Sequence, residues 1–301
     1  MRALVLHNPT AGSGDVAADD LLAALAVGGI AGRYCSTKQP AFADALAEPA
    51  DLVVVAGGDG TVVKVIGQLR DRSLPLAILP LGGANNIARS LGITADPLAI
   101  ARAGWRETSA RRLDIGAATG PWGERLFVEA VGIGALAEAT AAIDQRNVSG
   151  PEKSRLAREA LLEVLAAARP EQVRLAIDGQ EVVASCLLAE IMNTASIGPR
   201  LALAPAADPG DGLLDLVYLE PEARAAMLAW LERSSECPPP VTTRRGRVFA
   251  FEWRQGRLHL GDAFHAPPET PCAVEVALQP DPVTILVPAH PALASRLEES
   301  T

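Results

Sequence analysis

Short apolar runs alternate with amphipathic stretches through the first third of the chain. The runs predict strands at residues 2–7, 32–36, 51–56 and 76–79, and the stretches predict helices from Asp15 or Asp19 to about Val27, at 41–47 and at 62–69. The run at 51–56 is almost entirely apolar, which is typical of a strand covered on both faces. This alternation predicts an α/β domain with a doubly wound parallel sheet.

Strand patterns dominate after about residue 113. We predict strands at residues 126–131, 173–177, 182–191, 213–219, 248–253, 257–260 and 273–278, interrupted by helices at 152–168 and 222–233. This order predicts a mainly β second domain built as a sandwich. The predicted domains are residues 1–112 and 113–282, and the sequence leaves open whether residues 283–301 return to the first domain.

The composition narrows the classes of function. Lys and Arg number 27 against 36 Asp and Glu, giving a net charge of −9, and aromatic residues make up 4%. This disfavours nucleic-acid binding along the whole chain, which needs basic charge and stacking aromatics. No run approaches the roughly 20 apolar residues of a membrane span, and the apolar run at the start is too short for a signal peptide. We therefore expect a cytoplasmic protein.

The cysteines and histidines lack the spacing of metal ligands. Cys35, Cys186, Cys237 and Cys272 include no Cys-x-x-Cys pair, and the histidines show no His-Glu-x-x-His pattern. Zinc sites, metalloprotease chemistry and a disulfide framework are therefore not predicted, and buried reduced thiols are expected.

Three glycine-rich turns, at residues 8–14, 57–61 and 82–86, follow three of the predicted strands. Ligands of an open parallel sheet bind outside the carboxyl ends of its strands. Glycine lets the backbone approach a ligand, and successive N–H groups and a helix N-terminus favour phosphate. We therefore expect the turns to line one phosphate site, where Asp59 would need Mg²⁺ between its carboxylate and the phosphates.

The turns belong to longer motifs that occur in order along nearly the whole chain. These are Asn8-Pro9-Thr10-Ala11-Gly12-Ser13-Gly14, Gly57-Gly58-Asp59-Gly60-Thr61, the segment 79–92 around Gly82-Gly83-Ala84-Asn85-Asn86, and Asn193 with the segment 204–216 around Asp211-Gly212. Together they resemble the diacylglycerol kinase catalytic domain superfamily, which includes bacterial lipid kinases and sphingosine kinases and is related in fold to NAD kinases.

The resemblance implies an enzyme that transfers the γ-phosphoryl group of ATP, with Mg²⁺, to a hydroxyl of diacylglycerol or a related lipid. The nucleotide-binding residues expected from the turns and the resemblance are Asn8, Pro9, Thr10, Ala11, Gly12, Thr37, Gly57, Gly58, Asp59, Gly60, Thr61, Lys64, Gly82, Gly83 and Asn85. The resemblance also implies a structural Mg²⁺ held by Asp211 and the carbonyls of Asp208 and Leu213.

A lipid acceptor implies transient, peripheral contact with a membrane surface, with the inner membrane surface as one option. Arg244, Arg245 and Arg247 form a small basic cluster that is either a solvated edge or a contact for anionic headgroups. The sequence leaves the oligomeric state open, a homodimer included.

This chain departs from the family pattern at three places. Lys64 stands where the family usually has Glu, and Gly83 stands where it has Thr. The Glu taken as general base in bacterial lipid kinases has no counterpart in register within residues 258–265. Asp262 is the candidate base in its place, with His259 and His265 as weaker candidates, so Asp59 and Asp262 are the predicted catalytic residues.

Three other readings remain open. The first is a kinase-fold protein with weak or lost activity that regulates by binding nucleotide or lipid. The second is an NAD kinase-like phosphotransferase, which would share the Gly-Gly-Asp-Gly-Thr motif. The third is an oxidoreductase, because residues 132–137 fit Gly-x-Gly-x-x-Ala, although the expected acidic residue about 20 positions later is missing.

Overall fold

The computed structural model describes residues 1–105, 108–144, 146, 148, 150–233 and 237–288. Strands and helices alternate up to residue 113, in the order β1 (Arg2–His7), α1 (Ala18–Val27), β2 (Ala31–Ser36), α2 (Phe42–Ala45), β3 (Leu52–Gly57), α3 (Asp59–Gln68), β4 (Leu76–Pro80), α4 (Asn86–Ser90), α5 (Pro97–Ala103) and β5 (Thr108–Leu113). The helices lie between consecutive strands, as the hydrophobic pattern predicts.

The remainder of the described chain is rich in strands. Its elements are β6 (Gly116–Gly120), β7 (Gly123–Phe127), β8 (Ala130–Gly134), α6 (Ala135–Asp144), α7 (Gly150–Ala167), β9 (Glu171–Ile177), β10 (Gln180–Cys186), β11 (Leu188–Met192), β12 (Leu214–Leu219), a 3-10 turn (Pro221–Ala223), α8 (Arg224–Glu232), β13 (Thr242–Gly246), β14 (Val248–Trp253), β15 (Leu258–Leu260), β16 (Ala263–His265), β17 (Cys272–Leu278) and β18 (Val283–Pro288). The predicted fold class, an α/β part followed by a β-sandwich, is confirmed.

The first sheet has the strand order β2-β1-β3-β4-β18-β5. Strands β1 to β4 are parallel, β18 runs parallel to β4, and β5 is antiparallel to β18. Every residue of β3 is buried, so helices cover both faces of the sheet. Since β1, β3 and β4 are neighbours with the same direction, the turns that follow them leave from one edge of the sheet.

The second part packs two antiparallel sheets face to face. One has the order β10-β9-β14-β17-β6-β7 and the other the order β13-β12-β11-β8-β15-β16. The layer between them is apolar and includes Phe127, Phe249 and Trp253. Helices α6, α7 and α8 pack on the outer face of the second sheet, where Leu161 and Met227 are buried. This outer layer places α6 and α7 beside the first part of the chain.

Two strands predicted as continuous are each two strands that belong to different sheets. The run at 126–131 divides into β7 and β8, and the run at 182–191 divides into β10 and β11. In both places the chain crosses from one sheet to the other through buried residues, Val128 in the first and Leu187 in the second. Val128 and Leu187 are apolar like the strands on either side of them, so the prediction joined each pair of strands and was wrong at these points.

The predicted cap of α1 was wrong, the prediction of buried cysteines holds for two of the four, and the oxidoreductase reading loses its structural basis. Neither Asp15 nor Asp19 caps α1, which follows Ala17 without a side-chain cap and has Asp19 in its first turn. The Gly-x-Gly-x-x-Ala segment lies on β8, which is antiparallel to both neighbours, so it is not the βαβ unit of a dinucleotide fold. Cys35 and Cys186 are buried thiols as expected, whereas Cys237 is exposed and Cys272 is partly exposed.

Candidate active site

The three glycine turns converge at the carboxyl edge of the first sheet. The Asn8 side-chain amide donates to the Thr61 hydroxyl at 3.2 Å, which joins the first turn to the second. A Cβ on Gly12, whose φ is +61°, would collide with the carbonyl of Leu81, and a Cβ on Gly58 would lie 3.0 Å from the Gly82 Cα. The turns are therefore packed backbone to backbone, which glycine permits and a larger residue does not.

Several polar side chains predicted to bind nucleotide hold the turns in shape. The Asn8 side-chain oxygen accepts from the Thr10 N–H at 3.2 Å and from its hydroxyl at 3.0 Å. Asn85 has a left-handed backbone, its side-chain oxygen accepts the Gly82 N–H at 2.8 Å, and its amide donates to the Gly82 carbonyl at 2.7 Å. Asn8 and Asn85 thus stabilise the turns themselves and engage the N–H groups of Thr10 and Gly82.

Lys64 and Thr37, both predicted near the nucleotide, contact each other. The Lys64 ammonium donates to the Thr37 carbonyl at 2.6 Å and lies 4.8 Å from the centre of the Phe42 ring. Thr37 is buried. Lys64 thus ties α3 to the loop after β2, and the positive charge that replaces the family's Glu has a partner within the protein.

Asp59 is the first residue of α3 and faces the start of α4. Its carboxylate accepts the Ile87 N–H at 2.9 Å, so it joins the N-terminal ends of two helices. Burial raises the pKa of Asp59, the backbone N–H groups of Ile87 and Asn86 oppose that rise, and the negative charge of Asp262 adds to it. Asp59 is thus a carboxylate held by helix ends in a setting short of positive charge.

A cleft of about 460 Å³ opens between the third glycine turn and the second part of the chain. The lining carries four carboxylates together with Lys153, and it also includes several apolar side chains. The acidic residues are Asp59, Glu129, Asp144 and Asp262, and the apolar ones include Leu136, Ala157, Ile197 and Phe264. A cleft lined by both acidic and apolar side chains suits a ligand that is polar at one end.

Asp262 lies in the turn between β15 and β16 and reaches over the start of α3. A Cβ on Gly60 would lie 2.5 Å from the Asp262 carboxylate, so Gly60 leaves the space that this side chain occupies. Desolvation by the surrounding protein raises the pKa of Asp262; Lys153 lowers it, Asp144 raises it, and His259 lowers it. The predicted catalytic residues Asp59 and Asp262 therefore come from opposite sides of the cleft and meet there.

The sequence reasoning missed Glu129, which lies between β7 and β8. Its carboxylate accepts the Asn86 side-chain amide at 2.9 Å. Burial raises the pKa of Glu129 well above its ordinary value, and the charges of Asp59 and Asp262 raise it further. The lone carboxylate of Glu129 inside the apolar run at 126–131 was the signal available in the sequence, because a buried charge is costly unless it is paired or binds a metal ion.

The cleft can hold Mg²⁺ together with a nucleotide. The Asn86 side-chain oxygen is buried and has no hydrogen-bond partner among the described residues. With the Asp59 and Glu129 carboxylates it offers the hard oxygen donors that Mg²⁺ prefers. The described residues include no cluster of three or more His, Cys, Asp or Glu suited to a metal ion.

The structural Mg²⁺ implied at Asp211 does not fit the residues present. The guanidinium of Arg245 forms an ion pair with the Asp211 carboxylate. The other Asp211 oxygen accepts the Leu213 N–H at 3.0 Å, and the Asp208 carbonyl accepts the Asp211 N–H at 3.3 Å. The Asp211 carboxylate and the Asp208 carbonyl are therefore engaged by the protein itself.

A buried pair of His259 and Glu190 adjoins the cleft, and His259 is one of the residues that line it. The imidazole of His259, on β15, is 2.6 Å from the carboxylate of Glu190, on β11, and both side chains are buried. Burial alone would lower the pKa of His259, but the Glu190 carboxylate raises it above the ordinary value. His265, the other weaker candidate base, stacks on Trp122 at 4.2 Å and is absent from the cleft lining.

A loop of the second part clamps the third glycine turn. The Arg200 guanidinium donates to the carbonyls of Gly83 at 2.6 Å and Ala84 at 3.2 Å, and the Asn86 amide donates to the Gly198 carbonyl at 3.1 Å. These hydrogen bonds hold the third glycine turn against the loop that contains Gly198 and Arg200.

Two family models match the chain. The model described as diacylglycerol kinase catalytic domain matches residues 2–118, and the model described as YegS C-terminal NAD kinase beta sandwich-like domain matches residues 129–287. A crystal structure of a diacylglycerol kinase from Bacillus anthracis has a TM-score of 0.68 at 22% identity and covers 97% of this chain and 98% of that one. That likeness shows the shared fold.

Two relatives that carry the name diacylglycerol kinase add to this. The protein from Mycobacterium tuberculosis is 35% identical over 195 residues, which span 62% of this chain and 60% of the relative. The protein from Bacillus subtilis is 30% identical over 233 residues, 73% of this chain and 74% of the relative. None of the helices that the structure describes is long and apolar enough to cross a bilayer. The chain belongs to the diacylglycerol kinase-like family of lipid kinases.

Proposed function

We propose that this chain transfers the γ-phosphoryl group of ATP to a hydroxyl of diacylglycerol or a related lipid. The observation that carries the proposal is that the three glycine turns pack together, and that the second and third of them line a cleft in which Asp59, Glu129 and Asp262 lie. The turns offer N–H groups and a helix N-terminus to the phosphates. The carboxylates lie where the phosphoryl group would be transferred.

Asp59, Glu129 and the free side-chain oxygen of Asn86 would hold the Mg²⁺ of the nucleotide. When bound, the ion neutralises charge on the transferring phosphoryl group. The apolar side chains of the cleft lining would contact the part of the lipid next to its hydroxyl group. A lipid of this kind is presented at a membrane surface, so the protein would work there through transient, peripheral contact.

Asp262 would serve the acceptor hydroxyl. The lipid oxygen forms its bond to the γ-phosphorus as the bond from that phosphorus to the β,γ-bridging oxygen breaks, and the hydroxyl proton passes to the Asp262 carboxylate. Burial raises the pKa of Asp262, which makes its carboxylate a stronger base than an ordinary aspartate. Positioning and charge neutralisation supply most of the catalysis in phosphoryl transfer, so a carboxylate from a different turn can replace the family's Glu.

The test uses ATP labelled in its γ-phosphate with mixed micelles that contain diacylglycerol, sphingosine or phosphatidylglycerol, and NAD⁺ in a separate arm. We expect label in a lipid product. Asp262→Asn should lower kcat by on the order of 100-fold or more with nucleotide affinity retained. Asp59→Asn should weaken the binding of Mg·ATP, and Asp15→Asn, which alters an exposed carboxylate outside the cleft, is the matched control.

Two results would overturn the proposal. Saturable ATP binding without label in any lipid would favour the regulator that binds nucleotide without turnover. Label in NAD⁺ and not in lipid would favour the NAD kinase-like reading.

A further inference from the structure

The segment that leads into β12, together with the first two residues of that strand, carries three carboxylates, Asp208, Asp211 and Asp215. We call residues 208–215 the aspartate loop. Each carboxylate has an arginine partner: Arg111 for Asp208 at 3.5 Å, and Arg245 for both Asp211 and Asp215. Two arginines of the same protein thus pair with all three carboxylates of the loop.

Arg245 reaches two carboxylates because of strand register. On β13 it lies directly opposite Asp215 of β12, and its Nε is 3.2 Å from the Asp215 carboxylate. Its terminal nitrogen pairs with Asp211, farther back in the loop. The planar guanidinium has donors in a fixed fork, so one arginine can bridge two acidic groups as a cation would. Asp215 is only 3% exposed, and an uncompensated charge there would be costly.

The loop also secures the passage from the first part of the chain to the second. Asp114, just after β5, is completely buried; it accepts the Gly212 N–H at 2.8 Å and the Arg112 Nε at 2.5 Å. The Asp114 N–H in turn donates to the Pro209 carbonyl at 2.6 Å. Because the loop is hydrogen-bonded to Asp114, the cationic group that pairs with the carboxylates of the loop also stabilises the junction between the two parts.

We propose that the Arg245 guanidinium is the built-in cation of the aspartate loop, so that this part of the protein needs no divalent ion. The family resemblance implies Mg²⁺ at Asp211, and here the arginine occupies that carboxylate. Removing the guanidinium would uncover two neighbouring carboxylates, Asp211 and Asp215, and turn the loop into a site that a divalent ion stabilises. The proposal does not depend on kinase activity, since it concerns folding stability without nucleotide.

The test measures thermal unfolding of the full chain in EDTA and in millimolar Mg²⁺, without nucleotide. The Tm of the wild type should be the same in both. Arg245→Gln should lower Tm in EDTA by on the order of 5 °C, and Mg²⁺ should restore part of the loss. Arg244→Gln is the matched control: Arg244 is an exposed arginine one position away whose side chain points to the other face of the strand.

The cleft could also bind Mg²⁺, so the same measurements are repeated in the Asp59→Asn background, and electron paramagnetic resonance counts bound Mn²⁺. One additional Mn²⁺ per chain in Arg245→Gln, removed again by Asp211→Asn, supports the proposal. If the wild type in the Asp59→Asn background loses Tm in EDTA, the proposal is overturned. It is also overturned if Arg245→Gln unfolds at the wild-type temperature. If Arg245→Gln does not fold, the wild-type arm still decides, and Arg245→Lys, which keeps a charge without the fork, should fold with a lower Tm.

Discussion

The cleft and the aspartate loop are both acidic, and they treat their charges in opposite ways. In the cleft, burial raises the pKa values of Asp59, Glu129 and Asp262, and the negative charges of neighbouring carboxylates raise them further. In the loop, Asp208 and Asp211 are paired with arginines. We call a carboxylate compensated when a positively charged side chain pairs with it. Uncompensated carboxylates indicate a binding site for a cation, whereas compensated ones contribute to the stability of the fold.

Glu190 shows that compensation matters more than position. It adjoins the cleft, yet its carboxylate is paired with His259 at 2.6 Å. By this criterion Glu190 belongs with the loop, so altering its partner should destabilise the protein, while altering an uncompensated cleft carboxylate should not. The predictions that follow test this division by the sign and size of the change in unfolding free energy.

The largest effect is expected from His259→Gln. The substitution removes the cation that faces a buried carboxylate and should cost about 3 kcal/mol below neutral pH. The folded-state pKa of His259 is raised above its ordinary value of 6.5. The pair therefore contributes fully below pH 6.5, and its contribution is lost as the pH rises through the raised pKa.

Urea unfolding of wild type and His259→Gln across that pH range measures this loss, and the two curves should approach each other at high pH. The NMR titration of the His259 ring should show the raised pKa directly and a lower one in Glu190→Gln. Curves that stay parallel at all pH values would show that the pair is not ionic.

Asp114→Asn should have the next largest effect. The change removes the charge from a buried group that bonds Arg112 and the Gly212 N–H, and hydrogen bonds to charged groups contribute about 2 kcal/mol. The measurement is the urea midpoint at constant slope, with Asp15→Asn as the control at an exposed position. An unchanged midpoint would mean that the loop does not depend on the crossover contact.

Glu129→Gln should change stability in the other direction, by a gain of about 1 kcal/mol at neutral pH. A glutamine keeps an oxygen for the Asn86 amide and removes the repulsion from Asp59 and Asp262. Because the pKa of Glu129 is raised in the folded state, its charge costs stability only as the pH climbs above the ordinary value of 4.5.

The gain in Glu129→Gln should therefore grow with pH and vanish near pH 4.5. Tm values over that range measure it, and added Mg²⁺ should stabilise the wild type more than the variant. A loss of stability at neutral pH would place Glu129 with the compensated carboxylates and break the comparison.

The fold and the nucleotide side of the cleft could be predicted because their signals are local. A strand, a glycine turn and a helix start follow one another within a few residues, so Gly57 to Thr61 shows its geometry in the sequence alone. The apolar runs around Val128 and Leu187 hid two changes of sheet, because these two residues are buried and apolar like the strands beside them.

The acidic part of the cleft lining depends on contacts between residues that are distant in the sequence, so local patterns could not predict it. Asn86 and Glu129 are 43 positions apart, and Glu190 and His259 are 69 apart. The fate of Asp211 depends on the register that sets Arg245 against Asp215, which no spacing within the sequence reveals. Arg245 was therefore placed in a basic surface cluster, although two aspartates engage it.

The smallest effect is expected from Asp208→Asn, although it also breaks an ion pair in the aspartate loop. The Arg111 and Asp208 side chains are 39% and 50% exposed and meet at 3.5 Å, so water and salt screen their attraction. The change in unfolding free energy should stay within about 0.5 kcal/mol and disappear at high salt. A double-mutant cycle with Arg111→Gln isolates the coupling from other effects of each change. If this exposed pair contributed as much as Asp114, the number of ion pairs rather than their burial would stabilise the loop, and the role given to Arg245 would be shared among all its arginines.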